Sequence, residues 1–190
     1  INWAPRSQAA PWSSVSVSST GQYQTAVVDS GQIHTSSDFG INWTPRDSGR
    51  IWYSVSLSST GQYQTAVVSG GQIYTSSDFG INWTPRESNR NWYSVSLSST
   101  GQYQTAVVNN GLIYFSRDYG FNWSEYASYE VTTGGDQSGY SLSLSATGNS
   151  LAVGAPYNDA GATGADRGHV RVYDYNAATN LWPQRGADND

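Results

Sequence analysis

Along residues 52–86 the apolar positions come in short runs, each cut by turn residues. "WYSVSLSS" alternates serine with valine or leucine, the period-two pattern of a strand with one buried face. "TGQ" breaks it, and "YQTAVV" follows as a β-branched, apolar run. "SGG" breaks the chain again, "QIYTSS" is a third run, "DFG" a third break, and "INWTPR" a fourth run. No window shows a 3.6-residue apolar period or an Ala/Leu/Glu/Lys-rich helical composition. The pattern predicts four short antiparallel strands, A to D, joined by tight turns.

This unit recurs. Residues 1–40, 41–80 and 81–120 align without a gap, and the second and third copies agree at 31 of 40 positions. Four strands per forty residues is the dimension of a propeller blade, and it fits better than a β-solenoid or a sandwich. The expected fold is all-β: a β-propeller of about four four-stranded antiparallel blades, in a larger ring or an edge-to-edge assembly. Residues 1–126 hold the forty-residue blades, at about 12–46, 52–86 and 92–126, with a lone D strand of a preceding blade at 1–6. A linker at 127–138 leads to a diverged blade at 139–190.

One frame stands out in each copy: Ser36-x-Asp38-x-Gly40-x-Asn42-Trp43, repeated as Ser76, Asp78, Gly80, Trp83 and as Ser116, Asp118, Gly120, Trp123. It resembles the Asp-box (BNR) repeat, with Asn where that pattern usually has Thr. The physics of a turn agrees: a short carboxylate accepts backbone N–H groups a few residues on, and glycine takes a positive φ without strain. The aspartates are therefore expected to brace the C–D turn, with the tryptophan as an apolar plate between sheets.

The last blade resembles a different family. "GYSLSLS", "LAVGAPYND" and "GHVRVYDYN" are similar to the FG-GAP repeat of integrin α-type propellers. That resemblance implies a calcium loop between strands A and B, where acidic oxygens would gather. The matching stretch, "SATGNS" at 145–150, has no carboxylate. Neither a metal nor a cofactor is expected.

Composition narrows the function. There is no cysteine and no lysine, charged residues are 12%, and aromatics are 14%. Such a polar, weakly charged, aromatic-rich chain suits an extracellular or particle-surface protein. With a net charge of −5 it lacks the basic stripe that nucleic acid demands, and no apolar run reaches membrane-spanning length. "NWT" and "NWS" at 42–44, 82–84 and 122–124 are formal glycosylation sequons, discounted because the asparagine lies in the Asp-box turn.

Strand alternation puts the A–B and C–D turns on one face and the B–C turns and D-to-A loops on the other. The second face varies between copies: "SQAAP", "DSGRI" and "ESNRN" in the D-to-A loops, and "DS", "SG" and "NN" in the B–C turns. Its polar and aromatic residues are candidates for recognition: Asp47, Arg50, Glu87, Arg90, Asn109, Asn110, Tyr157, Asp159 and Asp166. Unconstrained loop tips drift in the same way.

Sialidases carry Asp-boxes, but they add an arginine cluster, and glycoside hydrolysis needs paired carboxyls or a tyrosine nucleophile with an acid. Here Glu87, Glu125 and Glu130 are the only glutamates, and none sits in a recognisable site. The reading is a non-enzymatic structural and recognition propeller that binds protein or glycan and self-associates through exposed blade edges. The alternative is a fragment of a sialidase-like glycoside hydrolase.

Overall fold

The computed structural model describes residues 9–109, 111–126, 139–157 and 168–186. Blade 1 is β1 (Trp12–Val17), β2 (Gln24–Val28), β3 (Gly31–Ser36) and β4 (Thr44–Arg50). Blade 2 is β5 (Trp52–Leu57), β6 (Gln64–Val68), β7 (Gly71–Ser76) and β8 (Thr84–Arg90). Blade 3 is β9 (Trp92–Leu97), β10 (Gln104–Val108), β11 (Ile113–Ser116) and β12 (Ser124–Tyr126). Blade 4 is β13 (Ser141–Leu144), β14 (Ser150–Ala155) and β15 (His169–Asp174). Each sheet is antiparallel, with its strands in chain order from inside outward. In blade 4, among the described residues, the outer edge is marked by isolated bridges, Tyr173 to Gln184 and Asn176 to Leu181. The lone strand at 1–6 and the linker at 127–138 lie outside the described residues.

The inner strands stand side by side: β1 beside β5, β5 beside β9, β9 beside β13. Between blades 1 and 2, Val27 and Ile33 pack on Trp52, Val55, Leu57, Ala66, Val68 and Tyr74. The next joint repeats this with Val67 and Ile73 against Trp92, Val95, Leu97, Ala106 and Tyr114. The third uses Phe115 against Leu144, Leu151, Val153, Tyr173 and Trp182. Polar groups cross the same joints. Serines of one inner strand accept N–H groups of the next: Ser16 Oγ from Leu57 (3.1 Å), Ser56 Oγ from Leu97 (3.1 Å), Ser96 Oγ from Leu144 (3.0 Å).

One expectation needs correcting. Residues 47–50 and 87–90 are not loops. They extend β4 and β8, leaving only Ile51 or Asn91 before the next inner strand. The hairpin pairs Gly31 with Arg50 and Ile33 with Arg46, so the outer strand carries extra residues in a bulge. Asp47 and Glu87 turn it at φ 53° and 60°. Pro45 and Pro85 are tolerated because the outermost strand has no further partner for their missing N–H.

Candidate functional site

The Asp-box carboxylates are held locally, three times over. The Ser36 hydroxyl donates to Asp38 Oδ1 (2.8 Å) and accepts the Gly40 N–H (3.0 Å). The Asn42 backbone N–H donates to Asp38 Oδ1 (2.9 Å) and its side-chain amide to Oδ2 (2.7 Å). The Trp43 indole N–H closes the turn on Gly40 O (3.1 Å). Ser76, Asp78, Gly80, Asn82 and Trp83 repeat this net, as do Ser116, Asp118, Gly120, Asn122 and Trp123. The left-handed residues are Phe39, Phe79 and Tyr119 with the glycines after them. The asparagine amide of each sequon is therefore engaged by its own aspartate.

These bonds fix the charge state. Asp38 is held below the ordinary carboxylate range, first by the Asn42 N–H and then by its amide and the Ser36 hydroxyl. At Asp78 and Asp118 burial pushes the carboxyl up. The combined bonds from Asn82 and Ser76, or Asn122 and Ser116, bring it below the usual value. A general acid needs the opposite shift.

The turns sort onto two ends. On the Asp-box end, the Phe39, Phe79 and Tyr119 N–H groups donate to the A–B turn carbonyls of Gln22, Gln62 and Gln102, each at 3.1 Å. On the other end, the B–C turns are tied to the D-to-A connection: Ser69 N–H to Ile51 O (3.0 Å) and Asn109 N–H to Asn91 O (2.9 Å).

On that end several candidates turn out to be occupied. Arg50 donates to the Tyr74 hydroxyl (2.8 Å), lies 4.4 Å over its ring, and faces Asp47 at 3.6 Å. Arg90 lies 4.9 Å over Tyr114 and faces Glu87 at 3.8 Å. These arginines clamp one blade to the next, which removes them from a free recognition surface. Asn109 and Tyr157 are exposed. Asn110, Asp159 and Asp166 lie outside the described residues.

A further feature, tyrosines set apart in the sequence only as aromatics less certainly core, lies on the same end. Tyr53, Tyr93 and Tyr140 form a row across blades 2, 3 and 4, with ring centroids 4.8 and 5.2 Å apart. Tyr53 is 37% exposed, Tyr140 50% and Tyr157 48%. Burial, then the Tyr140 hydrogen bond and the neighbouring Tyr140, Tyr53 and Tyr157 hydroxyls, raise the Tyr93 phenol above its ordinary value. The signal was the tyrosine after each inner-strand tryptophan, at 53 and 93. It lapses in blade 1, where Ser13 takes the position, and returns in blade 4, where "SLSLSATG" overlays "SVSLSSTG" and puts Tyr140 in frame with Tyr53. Among the described residues no group of three His, Asp or Glu side chains gathers as a metal site.

Residues 33–45 and 73–85 match the family model of the BNR-Asp box repeat. No curated protein matches the chain. Among solved structures it is similar to YCF48 bound to D1 peptide, at 15% identity and TM-score 0.62, covering 92% of this chain and 54% of that one. It is also similar to the Myceliophteria thermophila Cps50 (Swd1) β-propeller domain, at 13% identity and TM-score 0.69, covering 98% and 58%. The GH74 xyloglucanase from Xanthomonas campestris matches at 13% identity and TM-score 0.62, covering 92% and 30%. The chain thus spans a little over half of the first two and less than a third of the last. At such identities the likeness is one of fold.

Proposed function

We propose that this BNR-type β-propeller is a non-catalytic recognition and structural module, exposed on an extracellular or particle surface, that binds an extended protein or glycan segment along its tyrosine row. The carrying observation is the row itself: Tyr53, Tyr93 and Tyr140 in ring contact across three blades, on the end where the repeats vary. Tyrosines offer large, stiff, amphipathic contact area at low entropic cost. The braced Asp-boxes support the non-catalytic part of the reading, since each carboxylate is saturated by its own turn and is poorer, not richer, as a proton donor. The C-terminal blade is read as FG-GAP-like, on its "GYSLSLS" and "LAVGAPYND" stretches.

The test is a glycan array and a peptide library, probed with the full chain and with Tyr93→Ala. Binding that Tyr93→Ala weakens at least about tenfold supports the reading, the scale expected of a central aromatic contact. Turnover of a fluorogenic sialoside or of xyloglucan would replace it with the hydrolase.

A further inference from the structure

The two joints between blades 1, 2 and 3 follow one code, and blade 1 carries the receiving half of that code with none of the described residues in it. In each of these joints the trailing blade offers a tyrosine, a threonine and two serine hydroxyls, and the leading blade supplies their seats; the joint to blade 4 keeps the tyrosine seat and a serine bond but has Leu151 where the glutamine stands. The tyrosine seat is a left-handed glycine beside an aromatic. A Cβ on Gly61 would lie 2.6 Å from Tyr23, on Gly101 2.7 Å from Tyr63, and on Gly148 2.5 Å from Tyr103. Tyr23 stacks on Phe79 and Tyr63 on Tyr119, at 4.5 and 4.3 Å. The threonine seat is a buried glutamine: Thr25 donates to Gln64 Oε1 and Thr65 to Gln104 Oε1, both at 2.6 Å. A second threonine presses its methyl on the Asp-box glycine, 2.7 Å from a Cβ built on Gly80 or Gly120.

Every one of these seats is present on blade 1 and open among the described residues. A Cβ on Gly21 would meet only Phe39, at 3.8 Å, and Phe39 is 62% exposed. Gln24 donates to Gly21 O (3.0 Å), as Gln64 and Gln104 do in their own turns, but among the described residues no threonine donates to its Oε1. Trp12, Val15 and Val17 are 37%, 68% and 56% exposed, whereas Trp52, Val55 and Leu57 are at most 8%. A 580 Å³ cavity lies on this face, lined by Trp12, Val28, His34, Ile41 and Trp43 among others.

We infer that this face is a docking socket for one further Asp-box blade, recognised by its tyrosine, its threonine pair and its inner-strand serines. The inference goes beyond the recognition reading and stands without it. The same code argues against a second copy of the chain, whose open trailing face is that of blade 4. There Ser150 stands in the tyrosine's position and Ala152 in the threonine's, so Gly21 and Gln24 would stay unfilled.

The experiment places a copy of residues 51–80 ahead of Ile1 in the full chain, so that residues 1–10 continue it as they continue each repeat. Amide hydrogen exchange is read at Val15 and Val17, the positions equivalent to Val55 and Leu57. The expected result is slowing by about tenfold or more at both amides. In a second extended chain the copy carries Tyr63→Ser and Thr65→Ala, blade 4's residues. In a third, Val17→Arg is set on the socket, where its exposure leaves blade 1 intact. Both should return the two amides to the rates of the unextended chain. Unchanged exchange in the first chain, or equal slowing in all three, overturns the inference. So does concentration-dependent self-association of the unextended chain that protects Val15 and Val17, which would assign the socket to a second copy.

Discussion

Thr65 and Thr105 occupy the same position in consecutive repeats, are both fully buried, and should respond to the same substitution with opposite signs. Thr65 donates to Gln104 Oε1 at 2.6 Å across the joint between blades 2 and 3. Thr105 faces blade 4, where the glutamine's position is Leu151, and its Oγ1 is buried with no partner. Valine keeps the shape and removes the hydroxyl. At Thr65 it strands a buried amide oxygen, at a cost of about 2 kcal/mol. At Thr105 it removes a buried hydroxyl that pairs with nothing, a gain of about 1 kcal/mol. For a chain of this size each kcal/mol moves the melting midpoint by about 2–4 °C. Thr65→Val should therefore melt about 4–8 °C early, and Thr105→Val about 2–4 °C late.

The assay is thermal and urea unfolding followed by tryptophan fluorescence, with hydrogen exchange at the two joints to localise the change, because blade arrays need not unfold as one unit. Leu151→Gln supplies the third arm. Leu151 is buried in that joint, so the glutamine costs apolar burial in either background, but the cost should be about 1 kcal/mol smaller while Thr105 is present, which is the coupling read in the double-mutant cycle. A Thr105→Val protein that melts as early as Thr65→Val would show that Thr105 has an acceptor and that the ladder does not set these energies.

The remaining predictions concern the turns and the clamps. Asp78→Ala removes the acceptor for the Asn82 N–H, the Asn82 amide and the Ser76 hydroxyl, and should cost about 1–2 kcal/mol, read as an earlier urea midpoint. Because Asp38, Asp78 and Asp118 all titrate below their ordinary value, their contribution is complete above the unfolded carboxylate pKa, about 3.9, and fades as pH falls through the folded values. A circular-dichroism acid titration should thus show stability falling below about pH 4, and the triple Asp→Asn chain should flatten that slope. Arg50→Met should cost about 1–2 kcal/mol, since it loses both the Tyr74 hydroxyl bond and the cation–ring contact; an unchanged melting midpoint would return Arg50 to the recognition surface.

What could be read from the sequence was what repeats. A forty-residue period with Ser-x-Asp-x-Gly in frame fixes strand order, turn chemistry and the sorting of turns onto two ends, because each depends on neighbours a few residues apart. What could not be read was what depends on the blade next door. Arg50 looked like a variable-loop residue because "DSGR" carries turn formers, yet the bulge between Gly31 and Arg50 keeps it in the strand and aims it at Tyr74 of the following blade. Gln24, Gln64 and Gln104 repeat identically in the sequence, and the joints show two of them as buried acceptors and the third without a threonine among the described residues. The repeats also hide their own asymmetry. His34 for Tyr74 and Ala10 for Arg50 are paired changes on one face, and together they replace the tyrosine and remove the cation that clamp blade 1 to blade 2 and blade 2 to blade 3. Blade 1 thus keeps the polar and steric seats of the joint while lacking its clamp. Any blade held there must be held by burial of Trp12, Val15 and Val17 and by the Gln24 bond, so Val17→Arg, which adds a charge to that burial, is the substitution the socket should tolerate least.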